Sequence, residues 1–190
     1  MMRETCATVM KWATVRTVLV FSLQMKLKTR QRDFDNAFVQ AELNEKEQIC
    51  VTLSVGIHHA IHRSKDVALK LLKHLCGMKE ASKLWHQKVT TEFMLMGFER
   101  SQHNQWKFMH KKKKTVLLLH TDDCLLFCET DEMLKQMIAT MQRMFSLTQQ
   151  DVGQVVFDYW EIELTFKGTK VTMRQDGLMK MSSKPPSGKM

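Results

Sequence analysis

The stretch LLLHTDDCLLF, Leu117 to Phe127, sets two adjacent aspartates, Asp122 and Asp123, between two wholly apolar runs. Ionised carboxylates beside a core are costly unless something pairs with them. The flanking runs read as strands, Val116 to Leu119 and Cys124 to Cys128, with the aspartates at the bend between them. Neighbouring side chains of a regular strand point to opposite faces. A tight bend relaxes that alternation and lets one or both carboxylates face a common site at the sheet surface. Aspartate also favours turns for its own sake, so on spacing alone an ordinary hairpin bend explains the pair.

A second acidic element gives the pair a possible companion. Asp33-Phe34-Asp35 ends another predicted strand, just before Ala37-Phe38. Carboxylates from two separate strands suit Mg²⁺, which takes oxygen ligands and completes its shell with waters and substrate phosphates.

The rest of the chain supplies a frame for these strands. From Lys11 a helix is expected, with Val15, Val18, Leu19 and Ser22 on one face. Short strands are expected from Ile49 and from Val67. A helix from Glu80 carries the stripe Trp85, Val89, Phe93 and Met96, and Gly97 stands where a helix stops. Gln105 to Met109 reads as a strand, and the Lys111 to Lys114 run as a solvated turn that also offers non-specific contact to phosphate. Asp131 to Phe145 is a strongly amphipathic helix with Thr130 or Asp131 as its cap; its methionines are core packing. A final hairpin is expected, Val155 to Phe166 with Val171 to Arg174, turning at Lys167-Gly168. Helices packed on one face of a mostly antiparallel sheet make an α+β fold.

Composition narrows the partners. The 190 residues hold 29 Lys+Arg against 20 Asp+Glu, a formal charge of +9, which favours a polyanionic partner such as nucleic acid. Five cysteines form no CxxC pair, and no signal peptide is evident, so reduced thiols in the cytoplasm or nucleus are expected. The apolar run Val18 to Leu23 is far too short to span a bilayer, so no membrane partner is expected. His58, His59 and His62 have no Cys or carboxylate at ligand spacing, and a polar loop is the simpler reading than zinc.

Seven segments, taken in order, resemble the copia-type reverse transcriptases of LTR retrotransposons. KWATVR at Lys11 is similar to W-x-T-[IV]-R, and QRDFDNAFVQAEL at Gln31 to Q-x-D-x-x-x-A-F-x-x-[GA]-x-L. LKLLKHLCGMKEASKLW at Leu69 is similar to L-x-K-S-L-Y-G-L-K-Q-A-P-R-x-W, GFERS at Gly97 to G-F-x-x-S, and HTDDCLLF at His120 to Y-V-D-D-x-[LI]-[LIV]-x. FSLTQQDVGQVVFDYWEIEL at Phe145 resembles a segment that ends in F-L-G-I-x-[IV], and QDGLMKM at Gln175 the Q-x-x-Y-I-x-x-[IL] that follows it. Seven such segments in order are not chance.

The resemblance implies a fingers–palm domain over residues 5–181, a disordered tail over 182–190, and no thumb, connection or RNase H region within this chain. It implies RNA-directed DNA polymerisation with two Mg²⁺ ions, or Mn²⁺ in their place, acting on a template–primer and dNTPs. Asp33 and Asp122 would be the metal ligands, with Asp123 their more peripheral companion. Phe38 would exclude a ribose 2′-hydroxyl, and Lys11 and Arg16 would meet the incoming triphosphate. Gly77, Lys79 and Lys83 would lie near the template–primer.

The sequence also departs from the family's pattern. His120-Thr121 replaces Tyr-Val before the aspartates, Cys76 the Tyr of the second block, Glu80 its Gln, Ser82 its Pro and Lys83 its Arg. Ser54 and Val55 stand where prolines are usual, and Glu161 where a Gly is. Arg32 stands beside Asp33 in an apolar position; buried there it is costly unless paired with a catalytic carboxylate. Together these changes imply weak or lost activity in this copy, and the alternative is a non-catalytic nucleic-acid-binding relic.

Overall fold

The computed structural model describes residues 10–41, 43, 48–52, 68–78, 80–148, 156–159 and 162–175. The three histidines at 58, 59 and 62, Lys79 and the tail from residue 182 lie outside them. Cα proximity divides the chain into two compact units. One comprises Asn36–Lys88 with Met1–Ala7, the other Thr8–Asp35 with Val89–Met190.

The larger unit carries the Asp-Asp hairpin. Its principal sheet has five strands, β1 (Lys28–Asp33), β4 (Phe98–Arg100), β5 (Lys107–His110), β6 (Val116–His120) and β7 (Asp123–Cys128). They lie in the order β1-β7-β6-β5-β4, and every pairing is antiparallel. The apolar runs noted in the sequence are its centre: residues 116 to 119 and 124 to 128 are buried without alternation. Such unbroken burial means that both faces of these strands are covered.

Helix α4 (Asp131–Met144) packs against β1 and β7. It starts where the sequence predicts: Thr130 Oγ1 accepts from the Met133 N–H at 3.2 Å. Asp131 and Glu132 in the first turn and Arg143 in the last complement the helix dipole. Leu134, Met137, Ile138 and Met141 form the buried stripe, and Arg30 Nη2 holds Asp131 Oδ1 at 3.0 Å.

Helix α1 (Trp12–Gln24) buries the predicted face, Val15, Val18, Leu19 and Ser22. It ends in a Schellman motif. The Leu27 N–H donates to the Ser22 carbonyl (2.8 Å) and the Lys26 N–H to that of Leu23 (3.1 Å). Lys26 therefore occupies the left-handed position, φ +51°, that usually holds glycine.

Phe93, in the C-terminal half of α3 (Ala81–Leu95), is the hub of an aromatic cluster. Its ring centroid lies 5.1 Å from Phe108, 5.9 Å from Phe98, 6.1 Å from Phe145 and 6.4 Å from Phe34. All five rings are buried. The helix stops as expected, and Gly97 follows at φ +93°.

The remaining strands of this unit differ from the sequence reading. Val155 to Phe166 is not one strand. It is β8 (Val156–Tyr159) and β9 (Ile162–Lys167), which pair antiparallel with Tyr159 opposite Ile162; β10 (Lys170–Arg174) follows. The apolar positions change parity here, from Phe157 and Tyr159 to Ile162, Leu164 and Phe166, and a single strand would send one set to the wrong face. The last turn falls at Gly168-Thr169, one residue later than expected, with Lys167 opposite Lys170. Strand β4 was not expected at all, since Phe98–Arg100 carries no pattern beyond one buried Phe98.

In the smaller unit, β2 (Cys50–Thr52) and β3 (Ala68–Lys70) pair antiparallel, as the two short strands expected from the sequence. A single helical turn, α2 (Ala37–Gln40), follows Asn36, whose φ is +49°. Lys88 Nζ donates to the Gln40 carbonyl at 2.5 Å and so holds the end of that turn. The whole is the expected α+β fold with antiparallel sheets.

Candidate active site: carboxylates at the β6–β7 turn

The turn between β6 and β7 is tighter than the sequence implies. His120 pairs with Asp123, leaving Thr121 and Asp122 as the two turn residues. Only the first of these has positive φ, +54°, which places a β-branched side chain in a region it normally avoids. Asp123 is thus the first residue of β7 rather than part of the bend. Its Cα partner on the other side is Asp33, the last residue of β1. Residues paired in this way present side chains to the same face of the sheet, with Cβ atoms about 4.5–5.5 Å apart. Asp122 is tied to the same place through its backbone, its carbonyl accepting the Phe34 N–H at 2.9 Å.

The end of β1 is held from both sides. Phe34 is buried in the aromatic cluster, edge-on to Phe145 at 5.1 Å. Phe34 also bridges to Leu147, the Thr148 N–H donates to the Asp33 carbonyl (2.9 Å), and the Asp35 N–H donates to that of Ser146 (3.1 Å). The Asp35 carboxylate accepts from Ser146 Oγ at 2.7 Å and Thr148 Oγ1 at 2.5 Å. Those hydroxyls, Thr148 foremost, keep Asp35 below the usual carboxylate range.

Asp33 is shifted the other way, to a pKa of about 6. Burial is the largest cause, followed by repulsion from Asp122, then Asp123, then Asp35; the Phe34 backbone hydrogen bond opposes them. Two of these negative neighbours are the Asp-Asp pair, with Asp122 ahead of Asp123. One Asp123 oxygen already accepts from Gln31 Nε2 at 3.0 Å, which orients it. Tyr159 lies against this corner, its ring 6.4 Å from that of His120, and burial pushes its hydroxyl well above its ordinary pKa.

Arg32 takes no part in neutralising the site. Strand alternation puts it on the face opposite Asp33, and its Nη1 donates to the Gln31 carbonyl at 2.6 Å. Burial lowers its pKa, and its Nε has no hydrogen-bond partner. The arginine is costly where it stands and leaves the carboxylate charge in place.

Three carboxylates offer only oxygen donors, the ligand type of Mg²⁺ and Mn²⁺. Among the described residues no group of three or more His, Cys, Asp or Glu is assembled to hold a metal ion. The donor set suits a hard cation that keeps waters and substrate oxygens as further ligands, not a closed protein cage. Mutual repulsion at Asp33 is what such a cation would relieve.

The other residues singled out in the sequence make none of the hydrogen bonds described above. Lys11 is the N-cap residue of α1 and Arg16 is on its exposed face; among the described residues neither makes an ion pair. Phe38 is half-buried in α2, in the smaller unit. Gly77 has φ +92° and is exposed. Sequence reasoning missed Gln31, Ser146 and Thr148. The alternate spacing of Ser146 and Thr148, like that of Asp33 and Asp35, is the signal that two extended segments face each other there.

An α+β domain brings together one carboxylate at the end of β1, one on the neighbouring hairpin turn and one at the start of β7, all oxygen donors of the kind that divalent cations take. The chain belongs to the reverse transcriptase (RNA-dependent DNA polymerase) family, whose model matches residues 2–181. It is 25% identical over 150 residues to the retrovirus-related Pol polyprotein from transposon RE2 of Arabidopsis thaliana, covering 78% of this chain and 10% of that protein. The corresponding polyprotein from transposon TNT 1-94 of Nicotiana tabacum is 24% identical over 153 residues, covering 79% of this chain and 11% of its own. The chain thus spans about a tenth of the length of these relatives. The copia-type resemblance read from the motifs is borne out. Among solved structures, telomerase from Candida albicans in complex with the TWJ fragment of telomeric RNA matches with a TM-score of 0.49 and 12% identity, covering 88% of this chain and 34% of that one. Among the described residues no helix is long and apolar enough to cross a membrane.

Proposed function

We propose that this chain is the fingers–palm portion of a retrotransposon reverse transcriptase, spanning residues 5–181, which adds dNTPs to a primer 3′-hydroxyl under the direction of a template. The observation that carries this reading is the register that sets Asp33 opposite Asp123, with Asp122 bonded to the residue after Asp33. Asp33 and Asp122 are the ligands for two Mg²⁺ ions, and Asp123, held by Gln31, shapes the field around them. When bound, the ions supply charge neutralisation at the reacting phosphate and a more acidic primer hydroxyl. The protein's own part is to hold the oxygens rigidly: Phe34 anchors one strand end, the two-residue turn fixes the other, and Asp35 clamps the segment behind them. Phe38 is assigned to discrimination against ribonucleotides, and Lys11 and Arg16 to the triphosphate, on the family motif alone.

The test is extension of a labelled DNA primer on an RNA template with Mg²⁺ or Mn²⁺. Incorporation complementary to the template is expected from the intact chain, and none from Asp122→Asn. An intact chain that extends no primer with either metal rules out the enzymatic reading. The second reading, a non-catalytic nucleic-acid binder, draws on the +9 charge and on Thr121 and His120 in place of the family's residues. It requires salt-sensitive binding without incorporation.

A further inference from the structure

The larger unit contains a cavity of about 450 Å³ away from the carboxylates, between the end of α1, the start of β1 and the β9–β10 turn. Lys26, Lys28 and Arg30 line it, and among the described residues no acidic side chain does. Arg30 is committed to Asp131 and to the Thr29 carbonyl. Among the described residues no ion pair involves Lys26 or Lys28. The nearest residue of β1 on its wall, Arg30, is three residues from Asp33, roughly 10 Å at ~3.3 Å per residue.

The cations share one wall. Lys28 and Arg30 alternate along β1 with Thr29, whose buried side chain turns to the other face, and Lys26 closes the end of α1 at φ +51°.

Walls and size narrow the ligand. The volume falls in the range of sites for small organic ligands, roughly 300–1,000 Å³, and is generous for a lone anion. Leu23, Leu27 and Phe166 supply apolar wall beside the ammonium groups. Positive charge interleaved with an aromatic ring is how single strands are gripped without sequence preference. We propose that this cavity seats one nucleotide unit of a single-stranded nucleic acid, with its phosphate at Lys26 and Lys28. This strand contact is distinct from the carboxylate centre and does not depend on catalysis there.

The test measures anisotropy of a fluorescein-labelled oligo(dT) of about twelve nucleotides against the full chain in EDTA, across a salt series. Lys26→Ala/Lys28→Ala is expected to weaken binding about tenfold at moderate salt and to lower the log–log salt slope by about 1.4, two phosphates at ~0.7 each. Lys135→Ala/Arg143→Ala, an equal charge loss on the exposed face of α4, is expected to change affinity less than threefold. Lys26→Gly relieves the backbone while removing the charge, so it should melt no lower than the parent and still bind more weakly. Unchanged affinity and slope in the Lys26/Lys28 variant would overturn the proposal. So would equal losses in both double variants, which would mean bulk charge only. Displacement of the oligonucleotide by dTMP as effectively as by unlabelled strand would also overturn it, in favour of a free-nucleotide site. Because no metal is present, a chain that fails in primer extension leaves this result unaffected.

Discussion

Asp33→Asn is expected to lower primer extension on the order of a thousandfold and, at the same time, to stabilise the fold at neutral pH. The two effects share one cause. The Asp33 carboxyl titrates near pH 6 because burial and the charges of Asp122, Asp123 and Asp35 oppose its ionisation. Its folded pKa is therefore above the ordinary value of 3.8, so between about pH 4 and 6 the folded chain binds a proton that the unfolded chain has released. Stability from this group accordingly rises as pH falls through 6 towards 4, and is lost as pH rises through that window. Asparagine removes the charge and flattens that dependence. The variant should melt a few degrees higher than the parent at pH 7.5 in EDTA, and the difference should shrink towards pH 4. Thermal melts at both pH values check this, and a variant that melts lower at pH 7.5 would show that the Asp33 charge does not oppose folding. Function maintained against local stability is common where charge must be concentrated.

The second large effect is at Phe93. Its ring is fully buried and touches four others, among them Phe34, whose backbone carries the Asp122 hydrogen bond. Phe93→Ala removes the hub and leaves a cavity beneath the end of β1, at a cost of about 3–5 kcal/mol. Against a total stability of about 5–15 kcal/mol for a domain, that is a large fraction. Urea denaturation should show the midpoint falling with the slope nearly unchanged. Phe93→Leu, which keeps most of the volume, should lose less than half as much. Equal losses for the two would mean that the ring contacts, and not apolar volume, carry the stabilisation. Primer extension should fall in Phe93→Ala even where the chain remains folded, because Asp33 and the turn are aligned through Phe34.

Much of this was legible in the sequence because the central elements carry strong patterns. LLLHTDDCLLF could only be a buried hairpin, and the α4 stripe from Leu134 to Met141 could only be a helix against it. The pairing of Asp33 with the Asp-Asp turn was not deducible from pattern. It depends on β1 lying beside β7, a contact across about ninety residues that periodicity does not encode; the residues offered Asp33 as a companion, and only the family's motif order implied that it shares a site with the pair. The split of β8 from β9 was written in the shift from odd to even apolar positions, yet a run of apolar residues hides such a shift. The three-residue strand β4 and the turn α2 fell below any pattern's length, whereas β2 and β3 lie within longer apolar runs that showed them. Gln31, Ser146 and Thr148 escaped notice because neutral polar residues are ordinary in sequence, and only tertiary contact makes them partners of carboxylates. Arg32 shows the reverse case. Its charge beside Asp33 invited a pairing that strand alternation forbids.

Electron paramagnetic resonance of Mn²⁺ titrated into the intact chain, Asp33→Asn and Asp122→Asn, with template–primer and a non-hydrolysable dNTP analogue present, tests most directly whether these carboxylates form a polymerase metal centre. The expected result is bound Mn²⁺ in the intact chain, displaced by excess Mg²⁺, with affinity reduced at least tenfold in each variant. Binding that is equal in all three proteins would contradict the assignment of the metal centre to Asp33 and Asp122.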